Sequence, residues 1–118
     1  MRIIEYSRPD QLRRACKLIV KHKLYQYTHW MIYRWAIDQT AFKKVFICWR
    51  KGHPIGVCVV LDKKFKAKVD VAVYVKPEYR RRGVGRKLLQ RAGFSAKMRH
   101  NITEKNKQFW ESAQPTLT

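Results

Sequence analysis

The chain has 118 residues, with 27 Lys and Arg against 8 Asp and Glu and a formal net charge of +19, a length that supports one domain rather than two. An apolar fraction of 46% excludes a disordered polyelectrolyte and lets the chain hold a real core. The opening Met1-Arg2-Ile3-Ile4-Glu5 has no secretory hydrophobic region and the longest mostly apolar run, Ile55 to Leu61, is far too short to span a bilayer, so the expectation is a soluble cytoplasmic protein with no membrane attachment.

Arg2 to Tyr6 reads as a first strand. Ser7 and Asp10 stand at capping-box spacing, and Leu12, Ala15, Cys16, Ile19 and Val20 then form one apolar helix face opposite Arg13, Arg14, Lys17 and Lys21. Leu24 to Asp38 predicts a second, aromatic-rich helix that breaks at Thr40 and Ala41. Lys44 to Trp49 is a β-branched and aromatic strand, Lys51-Gly52-His53-Pro54 a turn, and Ile55 to Leu61 another strand. Phe65 to Val75 alternates apolar residues with a period of two, which predicts a third, eleven-residue strand of an antiparallel meander; Lys66 and Lys68 would then share one strand face. Gly85 to about His100 predicts a helix, weakened at Gly93, and Asn106 to Ala113 a last short one before the tail Gln114 to Thr118.

The long strand runs through Val75-x-Pro77 into Arg80-Arg81-Arg82-Gly83-Val84-Gly85-Arg86-Lys87, where the helix pattern opens. Glycines at a helix mouth let backbone amides approach a ligand, and the helix N-terminus favours negative charge. Arginines beside those amides pair with phosphate oxygens. The stretch therefore describes a phosphate cradle.

Element order and motif together resemble the GCN5-related N-acetyltransferase (GNAT) family. Val75-x-Pro77-x-x-Arg80-Arg81-x-Gly83-x-Gly85, followed by Leu88-Leu89, is similar to that family's acetyl-CoA signature, Q/R-x-x-G-x-G/A after a V-x-P strand end. Asn106-Lys107-Gln108-Phe109-Trp110-Glu111 is similar to its later N-x-x-x-F-Y-E helix. The resemblance implies an α+β fold, a mainly antiparallel sheet with flanking helices, over residues 1–118 with a core of about 2–113. It also implies that the family's last strands are missing, and that a fifth strand is squeezed into Arg99 to Thr103 or is absent. It implies acetyl-CoA as co-substrate, with the pantetheine arm on backbone groups near Val73 and Val75. The diphosphate would rest on the amides of Arg81, Arg82, Gly83, Val84 and Gly85, with Arg80, Arg82, Arg86 and Lys87 neutralising phosphates.

Transfer to an amine needs an oxyanion stabiliser, a modest base and a proton for the departing thiolate. Asp70 is the first candidate base; Glu78, Glu5, Asp38 and His53 are others. Where the resembled family places a Tyr to protonate the thiolate, this chain has Trp110, whose indole donates hydrogen bonds but does not transfer protons at ordinary pH; Tyr74 or Tyr79 are the substitutes. His22, His29, His53 and His100 form no ligand spacing, and no metal is expected. Cys16, Cys48 and Cys58, an odd number without metal-ligand spacing, read as reduced core thiols.

Acetyl-CoA would neutralise only about four of the excess charges. The remaining field points to nucleic acid or another acidic partner, and the aromatics of Tyr25 to Trp35 read either as core or as a stacking surface. Two functions follow. One is an N-acetyltransferase acting on a primary amine of an acidic or nucleic-acid-associated acceptor. The other is a non-catalytic member of the fold, its compactness and charge suited to a virus-encoded accessory protein, that contacts nucleic acid or a larger assembly. An exposed sheet edge also allows a homodimer or docking on such an assembly.

Overall fold

The computed structural model describes residues 1–25, 30–101 and 106–113. Four strands form one antiparallel sheet in the order β1-β2-β3-β4: β1 (Arg2–Tyr6), β2 (Phe42–Arg50), β3 (His53–Leu61) and β4 (Val71–Val75). The two helices α1 (Pro9–Lys21) and α2 (Trp30–Ile37) lie between β1 and β2 in sequence, yet Arg2–Tyr6 pairs with Val45–Trp49. The remaining helices, α3 (Val84–Arg91) and α4 (Lys107–Ala113), follow the sheet.

Alternation along the strands sends side chains to both faces, and each face has its own core. Val45, Ile47, Val57, Val59 and Tyr74 pack with Ala15, Cys16 and Ile19 of α1 and Ile32, Trp35 and Ala36 of α2. Phe46, Cys48, Cys58 and Val71 pack with Val84, Leu88 and Leu89 of α3, with Phe94, and with Trp110 of α4. A sheet buried on both sides explains the near-continuous apolar run of β3. All three cysteines are free and buried. Burial pushes the Cys16 thiol up to about 11 and also raises Cys48 and Cys58, which leaves poor nucleophiles.

The meander is present, but several local expectations are corrected. The helix start at α1 is held by Gln11 rather than Asp10: its Oε1 accepts from the backbone N–H of Ser7 and Arg8, both at 3.1 Å. The alternating run from Phe65 yields only the five residues of β4 as strand. Asp62 accepts from the Lys64 amide at 3.0 Å and starts a 3-10 turn over Lys63–Phe65, and Lys66 ends it with φ 55°, so Lys66 and Lys68 do not share a strand face. Local side-chain capping here defeats period-two patterning.

The helix expected to reach His100 stops at Arg91. Gly93 adopts φ 73°, its N–H donates to the Gln90 carbonyl (3.1 Å), and the Phe94 N–H donates to the Leu89 carbonyl (3.0 Å). That is a Schellman stop, with Phe94 packed beside Leu89. Gly93 is thus a terminator and not a weak interior position. The aromatic helix begins at Trp30; residues 26–29 of the expected segment lie outside the described residues, as do 114–118 and 102–105, which include the last two residues of the expected fifth strand. At the start of that segment, the Arg99 carbonyl accepts from the amides of Asp70 (2.8 Å) and Val71 (3.4 Å).

Candidate cofactor cradle and its surroundings

Hydrogen bonding fixes which way β4 presents its backbone. The Lys76 N–H donates to the Ile55 carbonyl and the Leu61 N–H to the Asp70 carbonyl, both at 2.9 Å. In an antiparallel ladder the bonded residues alternate, so Ala72, Tyr74, the Asp70 carbonyl and the Lys76 amide bond toward β3. The backbone groups of Val71, Val73 and Val75 point to the outer edge. The Val71 amide meets Arg99 there. The Val75 carbonyl is also taken, by Arg80 Nε at 2.8 Å. Among the described residues no hydrogen bond reaches the outward groups of Val73. Among the described residues the expected pantetheine edge is therefore open at Val73, while at Val75 a side chain holds the carbonyl.

After β4 the chain makes a 3-10 turn over Pro77–Tyr79. Arg81 (φ 64°) and Gly83 (φ 78°) are left-handed, and Gly83 is the N-cap of α3 without any side-chain capping bond. A Cβ at Gly83 would meet nothing within 4 Å, so the positive φ alone requires glycine there. The first turn of α3 contains no acidic residue. Arg80, Arg81, Arg82, Arg86 and Lys87 are all exposed around it. Cations at the positive end of a helix are each unfavourable by ~0.3–1 kcal/mol, and an anion among them reverses that sign. The amides, the left-handed bend and the cations fit a diphosphate, and no metal is needed to neutralise it.

Gly85 has a different task from Gly83. A Cβ there would stand 2.9 Å from Phe109 Cε1 and 3.6 Å from Val75 Cγ2. Its missing side chain lets α4 close over the start of α3 and the end of β4. Phe109 was not singled out as part of the site by sequence, because its contact depends on how the two helices cross.

The candidate acid–base residues fall into separate environments. Asp70 accepts from the Arg99 backbone N–H (2.7 Å) and from Arg99 Nη2 and Nε (2.8 and 3.2 Å). These side-chain and backbone hydrogen bonds hold its carboxyl below the usual carboxylate range, which makes it a weaker base. Tyr74 is buried on the α1/α2 side, with the Arg80 guanidinium 5.5 Å from its ring centroid. Asp38 accepts from the amide and hydroxyl of Thr40 in the turn before β2. Glu5 lines a cleft with Arg2, Arg14 and Trp49. His53 and Glu78 meet in another cleft, with Arg50, Lys51, Tyr79 and Arg82. Among the described residues no three His, Cys, Asp or Glu side chains come together, and no helix is long and apolar enough to cross a membrane.

Trp110 is buried, 4.6 Å from the His100 ring centroid and 5.4 Å from that of Phe94. His100 Nδ1 donates to the Met98 carbonyl at 2.7 Å. Neither Trp110 Nε1 nor His100 Nε2 has a partner among the described residues. The indole is part of a packed aromatic layer.

Comparison with known proteins agrees with this architecture. The chain aligns over 99% of its length with a ribosomal-protein-alanine N-acetyltransferase from Brucella melitensis biovar Abortus 2308 (TM-score 0.52, 10% identity, 94% of that chain). It aligns equally with a GCN5-related N-acetyltransferase from Ralstonia eutropha JMP134 (TM-score 0.52, 15% identity, 99% of this chain and 93% of that one). A third similar structure is an aminoglycoside acetyltransferase from an uncultured soil metagenomic sample, in complex with sisomicin (TM-score 0.52, 16% identity, 99% of this chain and 89% of that one). At these identities the likeness is one of fold. No curated protein sequence matches the chain. The sequence profile of the acetyltransferase (GNAT) domain matches residues 41–115, and with more than half of the sequence so matched on a sheet and bend of this form, the chain belongs to the GNAT acetyltransferase family, whose members use acetyl-CoA.

Proposed function

We propose that the protein is an acetyl-CoA-dependent N-acetyltransferase whose acceptor is a primary amine on an acidic or nucleic-acid-associated molecule. The observation that carries this reading is the uncapped N-terminus of α3, entered through left-handed Arg81 and Gly83 and surrounded by exposed cations. Bound acetyl-CoA supplies the thioester. The amides of residues 81–85 hold its diphosphate, and the outward amide of Val73 orients the arm and polarises the acyl carbonyl. The amine nitrogen forms the new amide bond as the carbon–sulfur bond breaks; the thiolate takes one proton and the amine releases one.

Tyr74, fixed on β4 beside Val73 and Val75, is the proposed donor of the thiolate's proton. Asp70, bound on both oxygens by Arg99, serves to tie the segment at Arg99 to the start of β4, and the amine's proton leaves to water. The excess of cations repels a cationic acceptor and favours an anionic one.

The test is calorimetry with acetyl-CoA on the native chain and on Gly83→Glu, followed by CoA release over a panel of amines. Micromolar binding abolished by the substitution is expected, since a carboxylate would occupy the place of phosphate. Equal binding by both chains removes the cradle from the site. The engagement of Asp70 by Arg99 and the burial of Trp110 favour a second reading, a family member that binds nucleic acid without turnover; tight, steeply salt-dependent nucleic-acid binding together with no CoA release from any amine would establish it.

A further inference from the structure

The tip of the β2–β3 hairpin and the bend after β4 lie side by side, because antiparallel pairing sets Gly56 opposite Val75. Between them is a cleft of ≈ 370 Å³ lined by Arg50, Lys51, His53, Glu78, Tyr79 and Arg82. The half-buried Tyr79 ring gathers two guanidiniums, Arg50 at 5.7 Å and Arg82 at 5.9 Å from its centroid. Glu78 is the one carboxylate on the lining. The ion pairs among the described residues are Arg8 with Asp10 and Arg99 with Asp70, so no carboxylate pairs with any cation of the cleft. The basic field continues past the rim: His22 at the end of α1 lies in the field of Lys21, Lys76 and His53.

Two arginines held on one aromatic ring repel each other, and among the described residues neither forms an ion pair with Glu78 or another carboxylate. A pocket for a small apolar metabolite is lined mainly by hydrophobic side chains, whereas this one is lined by charge. Planar guanidiniums pair with phosphate oxygens, and an aromatic–arginine layer stacks on bases, which an acidic peptide does not offer. We propose that this cleft docks a single-stranded nucleic-acid segment, with phosphates on Arg50, Lys51 and Arg82 and a base against Tyr79. The docked strand lies on the hairpin side of the bend, next to the cradle at the mouth of α3. The inference names a class for the acceptor of the proposed function, and rests on that reading only for the acetyl step, since docking needs no acetyl-CoA.

The experiment is fluorescence anisotropy with a labelled 20-nucleotide single-stranded RNA, longer than the ~4–16 nucleotides that a single-strand-binding fold covers, on the full chain without acetyl-CoA over a range of salt. Removing two cleft charges, Arg50→Gln with Lys51→Gln, is expected to weaken binding about tenfold or more and to lower the salt slope by about 1.4. Removing two charges from the exposed outer face of α1, Arg13→Gln with Lys17→Gln, is expected to weaken it less than about threefold. Tyr79→Leu keeps the charge and is expected to lose about tenfold without changing the slope. Lys51→Gln with His53→Gln, both exposed, repeats the cleft test at the cost of one formal charge, and is expected to lower the slope by about 0.7. Equal losses from the cleft and α1 pairs would overturn the proposal in favour of a diffuse field. Displacement of the RNA by polyglutamate of equal charge at equal affinity would overturn the nucleic-acid class. Acetyl-CoA titration of the same variants separates the readings: lost RNA binding with intact acetyl-CoA binding confines the effect to the cleft.

Discussion

Arg80 Nε donates a hydrogen bond to the carbonyl of Val75 at 2.8 Å, so the arginine that opens the motif braces the bend onto the last residue of β4. Counted from the backbone, the terminal nitrogen of glutamine occupies the same place as arginine Nε. Arg80→Gln therefore keeps the brace and loses the charge, while Arg80→Ala loses both. The expected result is acetyl-CoA affinity within about threefold of native for Arg80→Gln and about tenfold weaker for Arg80→Ala, a difference of ~1.4 kcal/mol or less. Calorimetry checks it; equal losses in the two variants would assign the effect to charge.

Gly85 and Phe109 are expected to be energetically coupled. Alanine in a helix interior gains ~1 kcal/mol over glycine, but a Cβ 2.9 Å from the Phe109 ring overpacks the contact, at ~1–3 kcal/mol. Gly85→Ala alone is expected to destabilise. In a Phe109→Ala background the same change is expected to stabilise. Urea unfolding of the four chains of the cycle measures the sign, and an unchanged sign would mean that the ring yields freely.

The Asp70–Arg99 pair gives the chain an acid-sensitive fastening. Hydrogen bonds from Arg99 hold the folded carboxyl below its ordinary 3.8. In the unfolded chain the carboxyl takes up its proton first, so the contribution is complete above about pH 4 and is lost as pH falls through the folded value. Asp70→Asn is expected to flatten the drop in urea midpoint below pH 4. If Asp70 is a fastener and not the base, the same variant retains acetyl transfer at neutral pH; a loss of turnover with an unchanged midpoint would restore the catalytic role.

His22 is expected to titrate below its ordinary 6.5, because burial first, and then the charges of Lys21, Lys76 and His53, oppose protonation. Folding thus favours the neutral ring. Stability is held above pH 6.5 and declines as pH falls through the lowered folded value. His22→Gln is expected to reduce that decline, and high salt to move the His22 midpoint upward by screening its neighbours. Titration followed by NMR checks both statements.

The strands, the apolar face of α1 and the arginine–glycine bend are legible in the sequence, because each rests on local periodicity or on a residue whose backbone freedom is special. Gly83 is such a residue: its φ of 78° is what a glycine before a helix announces. Reading failed where short-range hydrogen bonds competed with pattern. Asp62 bent Lys63–Phe65 out of an alternating run, and Gly93 ended a helix whose apolar spacing continued past it.

What the sequence determined by itself was the form of the bend: a run of cations and glycines at a helix mouth between a strand and a helix is contiguous, and its suitability for a phosphate-bearing ligand is read without long-range information. Only the tertiary structure decided the partners of the individual groups. Asp70 became a fastener because Arg99 arrives 29 residues later, Gly85 a packing position because α4 crosses α3 there, and Arg50 a neighbour of Arg82 because both lie on Tyr79. Each relation joins residues distant in the chain, and strand register and helix packing, rather than periodicity, bring them within reach.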